Sequence, residues 1–235
     1  MFFFDPMYML FVMLPGMALS MWASFRVKSA FNKYSKVRAA TGLTGAQAAR
    51  RMLDMAGLHD VQIGRASGFL SDHYNPATRS LALSPAVYDQ NSIAAIGVAT
   101  HEAGHAIQHA KNYAPLWLRS VLVPTANIGS SLGYIVMAMG LFMSGGPGFI
   151  FWLGVLMFSC VVLFQIVTLP VEFDATGRAK ELVLEYGIVT SQERQGMDRV
   201  LNAAAMTYVA AAISSLLTLL YYLMRAGVLG GNSDD

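Results

Sequence analysis

Charged residues and cysteine are both scarce in this chain of 235 residues. Asp, Glu, Lys and Arg make up 13% of the sequence, whereas apolar residues make up 55%. A soluble domain carries about 25% charged residues, so this composition excludes an ordinary soluble domain and indicates a membrane protein. The single cysteine, Cys160, excludes a disulfide within the chain. The formal net charge of only +2 gives no reason to expect a nucleic acid as partner.

Long apolar runs, by contrast, occur four times. A helix needs about 20 apolar residues to cross a bilayer. Four windows satisfy this requirement: about 6–24, 116–143, 149–170 and 201–224. The first has no basic residue ahead of it and no small-residue cleavage site, so we expect a retained anchor rather than a removed signal peptide. The second contains Arg119, Pro124 and several glycines, which favours an irregular or tightly packed helix.

The Lys and Arg residues orient these spans. They cluster after the first span and between the third and the fourth: Arg26, Lys28, Lys33, Lys36 and Arg38, then Arg178, Lys180, Arg194 and Arg199. The turn at 144–148 and the first six residues carry none. By the positive-inside rule, residues 25–115 and 171–200 face the cytoplasm. We therefore expect an integral protein of a bacterial inner membrane, in contact with the lipid bilayer and with its site facing the cytoplasm.

The segment 25–115 carries mixed structural signals. "TGAQAARRMLDMAG" predicts a short amphipathic helix with a capping threonine and a terminating glycine. "VQIGR", "GFLSDHY" and "RSLALS" carry strand formers and "NPAT" supplies a turn, so we expect a small hairpin or three-stranded sheet. "RSLALS" is either an ordinary core strand or a strand that pairs with an extended peptide. Asn91 is expected to cap the next helix, which runs from Ser92 to about Lys111.

That helix carries the sequence "THEAGH", with His101, Glu102 and His105. Four residues along an α-helix advance about 6 Å and turn about 40°, so the two histidines share one face and can bind one metal ion. Glu102 points aside, where it can take a proton from the water that attacks a peptide bond. Gly104 costs about 1 kcal/mol of helix propensity relative to alanine, which indicates close approach by a substrate or a packed neighbour. A purely structural cluster is the alternative, but buried histidines need metal or hydrogen-bond partners.

A catalytic zinc ion needs a third protein ligand. His109 lies about 12 Å from His101 along the helix and cannot bind the same ion; a role beside the ligands, a substrate contact and a surface position all remain open for it. His59 and His73 could fold back onto the site, but no sequence pattern supports either of them.

Glu172, just after the third span, is the better third ligand. Thr168 and Pro170 predict that a new helix begins before it. Asp174 points to the opposite face of that helix, so only one of the two carboxylates should bind the metal. The alternative is that Glu172 merely favours the helix dipole.

The segments "THEAGHAIQH" and "LPVEFDATGRA", separated by a transmembrane hairpin, resemble the neutral zinc metallopeptidases of the YugP-like membrane family over nearly the whole chain. More distantly, they are similar to the HtpX and CAAX-processing peptidases. The resemblance implies a gluzincin: one zinc ion per chain bound by His101, His105 and Glu172, and Glu102 as general base. Many gluzincins carry an aspartate four residues after the ligand glutamate, where this chain has Thr176.

Several roles stay open at this stage. Asp174 or a backbone carbonyl could orient a zinc histidine in place of the missing aspartate. Arg178, His109, Tyr88 and Tyr186 are unranked candidates to stabilise the oxyanion. The sequence thus predicts a mainly α-helical membrane protein of about four transmembrane helices with a small cytoplasmic α+β zincin-like segment, all in a single unit of residues 1–235.

The predicted function is that of a zinc-dependent membrane endopeptidase. Its substrate would be a peptide or a membrane protein, and oligomers or a membrane-protein partner remain open. One alternative is a metal-binding scaffold or regulator that does not cleave, although such a protein has no use for Glu102. The other is a transporter, which would need more ionisable residues inside the spans and paired broken helices.

Overall fold

The computed structural model describes residues 5–68, 70–143 and 146–229. The described part is mainly helical and contains a small three-stranded sheet, as expected. Contacts between residues divide it into two compact units. The membrane unit comprises the chain up to Trp22, Leu118–Leu169 and the chain from Tyr208 onward, and the mixed unit comprises Ala23–Trp117 and Pro170–Thr207.

The helices of the described residues are named here in chain order. They are α1 (Pro6–Tyr34), α2 (Gly45–Met55), α3 (Pro85–Tyr88), α4 (Ile93–Ala110), α5 (Ala114–Met143), α6 (Phe149–Glu185) and α7 (Ser191–Arg225). Four of them, α1, α5, α6 and α7, are long and apolar enough to cross a membrane. This confirms the prediction of about four spans. Ser144 and Gly145 of the predicted turn lie outside the described residues.

The expected helix start before Glu172 is wrong. Helix α6 runs without interruption through Pro170, so Glu172 lies in its interior rather than near an N-terminus. An interior proline removes one backbone N–H and costs about 3 kcal/mol or more in a soluble helix. Apolar membrane helices tolerate it where neighbouring groups satisfy the freed backbone. The reading in which Glu172 merely favours a helix dipole therefore has no structural basis.

Glycines bring α5 and α6 into backbone contact within the membrane unit. A Cβ atom added at Gly140 would collide with the backbone of Phe151, and one added at Gly154 would collide with the backbone of Met137. Small residues permit such close crossings, which stabilise helix pairs in lipid through van der Waals contact. Helix α5 is also irregular, as predicted, since it contains Pro124 and a π-helical turn at Gly129–Gly133.

The sheet of the mixed unit has the strand order β1–β3–β2. Its strands are β1 (Gln62–Arg65), β2 (His73–Asn75) and β3 (Ser80–Leu83). Strand β3 pairs in parallel with β1 and antiparallel with β2. Because both edges of β3 are occupied, the expectation that "RSLALS" could pair with a substrate is wrong, and β3 is a core strand. Phe69, within the predicted strand segment "GFLSDHY", lies outside the described residues.

Helix α4 lies in the core of the mixed unit. Its N-cap is Ser92, whose hydroxyl accepts from the backbone N–H of Ala95 at 3.2 Å, so the cap is one residue later than predicted. Buried side chains of α2, β3 and α4 form one hydrophobic cluster, which includes Met52, Leu81 and Ile96. The helix that carries the histidines is therefore held on a packed, largely apolar support.

Candidate metal centre

His101 and His105 lie one turn apart on α4. Their ring centroids are 4.8 Å apart and their planes make an angle of 81°. The side chain of His101 is 13% exposed and that of His105 is 8% exposed. The i, i+4 spacing predicted that the two rings would share one face, and the structure places them so.

A close helix crossing brings the third residue to them. A Cβ atom added at Gly104 would lie 2.7 Å from the backbone oxygen of Ala175 on α6, which is closer than real Cβ contacts. The predicted close approach at Gly104 is thus made by a packed neighbour. Glu172 lies about one turn before Ala175, so the crossing delivers its carboxylate to the histidines.

The three side chains converge on one point. One potential ligand atom each from His101, His105 and Glu172 lies within 4.8 Å of the other two. Oε2 of Glu172 is 3.2 Å from Nε2 of His101 and 3.6 Å from Nε2 of His105. Two imidazoles and one carboxylate form the ligand set of several catalytic zinc sites, in which water or substrate occupies the fourth position. The donor set therefore fits zinc.

Glu102 is buried next to this group, with 9% of its surface exposed. Burial alone would lower the pKa of His105, but the hydrogen bond to Glu172 and the charge of Glu102 outweigh it, and the pKa of His105 is raised. Positive charge is thus favoured where the three ligand atoms meet. Metal ions compete with protons for the same donor atoms, so surroundings that favour a protonated His105 also favour a bound cation.

Thr176 and Gln108 contact the second ring nitrogen, Nδ1, of the two histidines. The hydroxyl of Thr176 is 3.2 Å from Nδ1 of His101, so the residue that departs from the family pattern reaches this histidine nevertheless. Nδ1 of His105 is 3.0 Å from Oε1 of Gln108. Gln108 was not identified from the sequence. Its position three residues after His105 makes the two side chains neighbours on the helix surface, and this spacing is the signal that could have found it.

The other predicted candidates lie apart from the three ligand atoms or act indirectly. His109 Nδ1 is 2.8 Å from the hydroxyl of Tyr74 on β2. Asp174 accepts from Gln108 at 2.7 Å and from Arg178 at 2.6 Å. Four further side chains have other partners: His59 contacts Asp54, His73 contacts the backbone of Ser71, Tyr88 stacks on Arg65, and Tyr186 packs against the hydrophobic core.

Known proteins resemble this chain over most of its length. The family model described as "Putative neutral zinc metallopeptidase" matches residues 8–227. A protein of Bacillus subtilis (strain 168) named "Putative membrane protease YugP" is 45% identical over 218 residues, which cover 93% of this chain and 96% of that protein. No solved structure matches the chain. The chain belongs to this zinc metallopeptidase family.

Proposed function

We propose that this member of the zinc metallopeptidase family is a zinc-dependent membrane endopeptidase. The observation that carries the proposal is the convergence of His101, His105 and Glu172 within 4.8 Å, with Glu102 buried beside them. A site that only stores or senses metal has no need of an additional carboxylate at that place. Hydrolysis does need one, because a proton must leave the attacking water and reach the departing amine.

Each residue has a role that follows from its position. His101, His105 and Glu172 would hold one zinc ion, which supplies a Lewis acid that polarises the scissile carbonyl and acidifies water. Glu102 takes a proton at its carboxylate as water attacks and passes it to the amine nitrogen as the peptide bond breaks. The burial of Glu102 keeps bulk water from competing for that proton.

An extended peptide requires a free strand edge if it binds by strand addition. Strand β3 is excluded because both of its edges are paired. Strand β2 is an edge strand of the sheet formed by the described residues, and it contacts the catalytic helix α4 through Tyr74 and His109. We therefore assign the edge of β2 as the place where substrate backbone enters, in place of the "RSLALS" strand.

The cytoplasmic location of the site is part of the same proposal. Both chain segments of the mixed unit contain the clustered Lys and Arg residues, whereas the turn at 144–148 carries none. Such a bias favours the cytoplasmic side for the basic segments. Single cysteines introduced at Lys36 and at Gly146 in a Cys160→Ala background, and labelled in intact cells, would test this. The Cys160→Ala variant alone serves as the control.

The function is tested by separating metal binding from cleavage. Purified chain in detergent should hold about one zinc per chain by elemental analysis, and His105→Ala should hold none. Glu102→Gln keeps the shape of the side chain and should keep the zinc, but cleavage of a peptide library read by mass spectrometry should fall by about 10²–10⁴-fold. The matched control is Glu181→Gln, at an exposed glutamate of α6, and it should cleave normally. Zinc without cleavage in the wild type would favour the scaffold instead.

A further inference from the structure

Gln108 is a fully buried polar residue of α4 with three hydrogen-bond partners. Its Oε1 lies 3.0 Å from Nδ1 of His105. Its Nε2 donates to the backbone oxygen of Val171 at 2.8 Å and to Oδ2 of Asp174 at 2.7 Å. None of its surface is exposed. A buried amide with this many partners has one defined orientation.

The partners determine which way the amide points. A backbone oxygen and a carboxylate can only accept, so both must face the NH2 group of Gln108. The amide oxygen is then directed at His105, and an amide oxygen also only accepts. Nδ1 of His105 must therefore carry a proton. The orientation follows from the network itself and not from an arbitrary assignment of oxygen and nitrogen.

The protonated Nδ1 leaves Nε2 of His105 as the atom available to a cation. That Nε2 lies 3.6 Å from Oε2 of Glu172. A nitrogen lone pair and a carboxylate oxygen repel each other at this distance unless a proton or a metal ion lies between them. The amide of Gln108 thus prepares the imidazole for metal binding before any metal arrives.

The other zinc histidine has a weaker constraint. Nδ1 of His101 faces the hydroxyl of Thr176, which can either donate or accept. Thr176 therefore fixes the ring but does not select the tautomer. Gln108 also joins the two ligand helices, since its NH2 group donates to Val171, the residue immediately before Glu172.

We propose that Gln108 is a positioning residue that selects the tautomer of His105 and locks α4 to the segment of α6 that carries Glu172. Asp174 and Arg178 support this arrangement. Arg178 donates to both oxygens of Asp174, at 2.6 and 3.2 Å, and so holds that carboxylate against the amide of Gln108. The inference rests on the proposed zinc group, but it assigns a role to a residue that does not touch the metal.

The test measures metal affinity rather than cleavage alone. Gln108→Met keeps the length of the side chain and removes its polar atoms. Partners that orient a metal-bound histidine typically contribute 10- to 100-fold to metal affinity, so we expect a loss of that size in competition with a chelator. The visible spectrum of the cobalt-loaded protein should change as well. The matched control is Thr100→Val, because the Thr100 hydroxyl is equally buried in α4 but donates only to Ile96 and Gly97 of its own helix.

A rescue experiment separates positioning from general destabilisation. Gln108→Glu alone places a second carboxylate against Asp174 and should weaken zinc binding. The double variant Gln108→Glu/Asp174→Asn exchanges the amide and the carboxylate, so an acceptor still faces His105 and a donor still faces position 108. The backbone oxygen of Val171 has no donor at position 108 in this variant, so zinc affinity should recover only in part. No recovery beyond Gln108→Glu would overturn the proposed selection of the His105 tautomer.

The outcomes distinguish this inference from the proposed function. Zinc that binds the wild type, is lost in His105→Ala and is unaffected by Gln108→Met would overturn the role of Gln108 and leave the metal group intact. A wild-type chain without zinc affinity would overturn the proposed function itself. A 10- to 100-fold loss in Gln108→Met, with Thr100→Val unchanged and zinc affinity partly restored in the double variant, supports the inference.

Discussion

The membrane unit and the mixed unit both pack helices closely at glycine, but the side chains around the crossings differ. In the membrane unit, Gly140 and Gly154 let α5 and α6 meet backbone to backbone, and the buried neighbours at that crossing are Met137 and Phe151. In the mixed unit, Gly104 lets α4 meet α6 at Ala175. A glycine crossing therefore stabilises a helix pair in either case, and the side chains one turn away decide whether it also has a chemical function.

The side chains near the second crossing are polar and contact one another. Glu172 faces both histidines, Thr176 contacts His101, and Gln108 contacts His105. Each of these contacts joins α4 to α6 or orients a group that does. The crossing thus fixes the separation of the two helices, while the polar contacts fix the directions of the ligand atoms. Different substitutions should affect these two properties separately.

The largest effect is expected from Glu172→Ala, which removes one of the three proposed ligands and leaves the glycine crossing in place. Zinc content should fall from about one per chain to none, while the helical circular dichroism spectrum should stay unchanged because the backbone contact does not need the carboxylate. Elemental analysis after dialysis against a weak chelator measures the first quantity. Retention of a full zinc equivalent would move the third ligand to another residue.

Gly104→Ala should have the next largest effect, because it breaks the crossing and keeps every ligand. The added Cβ would lie 2.7 Å from the backbone oxygen of Ala175, so the helices must separate, at a cost of about 1–3 kcal/mol. Zinc affinity should fall about tenfold or more with the shift of Glu172, as measured by chelator competition. Thermal unfolding should occur at a lower temperature.

Gly177→Ala is the matched control on α6. A Cβ atom at Gly177 meets nothing within 4 Å, and alanine is favoured over glycine in a helix by about 1 kcal/mol. This variant should keep its zinc affinity and gain slightly in stability. If the two glycine variants behaved alike, helix propensity and not close approach would explain Gly104.

Gly154→Ala tests the crossing of the membrane unit. The added Cβ collides with the backbone of Met137, and the cost should again be about 1–3 kcal/mol, seen as a lower unfolding temperature in detergent. Zinc per chain should stay at the wild-type value, since no ligand atom belongs to this crossing. Gly146→Ala, where the added Cβ meets nothing within 4 Å, serves as the control. An unchanged unfolding temperature in Gly154→Ala would contradict the packing role.

Among the variants that should weaken zinc binding, Thr176→Val, which removes one hydroxyl and keeps the shape, is expected to have the smallest effect. His101 is more exposed than His105, so water can replace the lost partner. Zinc affinity should therefore fall about tenfold, the lower end of the range for such partners, and less than in Gln108→Met. A larger loss than in Gln108→Met would show that the tautomer of His105 is not the controlling feature.

Much of this architecture could be predicted from the sequence, because it depends on periodic and local signals. Runs of apolar residues predicted the four long helices, and the spacing of His101 and His105 predicted a shared face. The predicted bounds of α4 differ from the observed ones by about one residue, since Ser92 can cap a helix as well as Asn91 can.

What could not be predicted depends on tertiary contacts. Pro170 normally marks a helix boundary, and only the packing of α6 shows that the helix continues through it. The spacing of Gln108 from His105 permits their contact, but it does not predict that Gln108 is buried between two helices, because a glutamine on a helix surface has the same sequence context. The central position of β3 also depends on a parallel pairing with β1, and no turn signal in the sequence predicts that pairing.

The mixed unit is assembled from two separate stretches of the chain, and this has a consequence for biosynthesis. His101 and Glu172 are 71 residues apart. At about 5–20 residues per second, a ribosome needs about 4–14 s to synthesise the stretch between them. During that interval the nascent chain has both histidines but lacks their acidic partner. His101, His105 and Glu172 can therefore come together only after synthesis has passed residue 172, which lies beyond the apolar part of the third long helix.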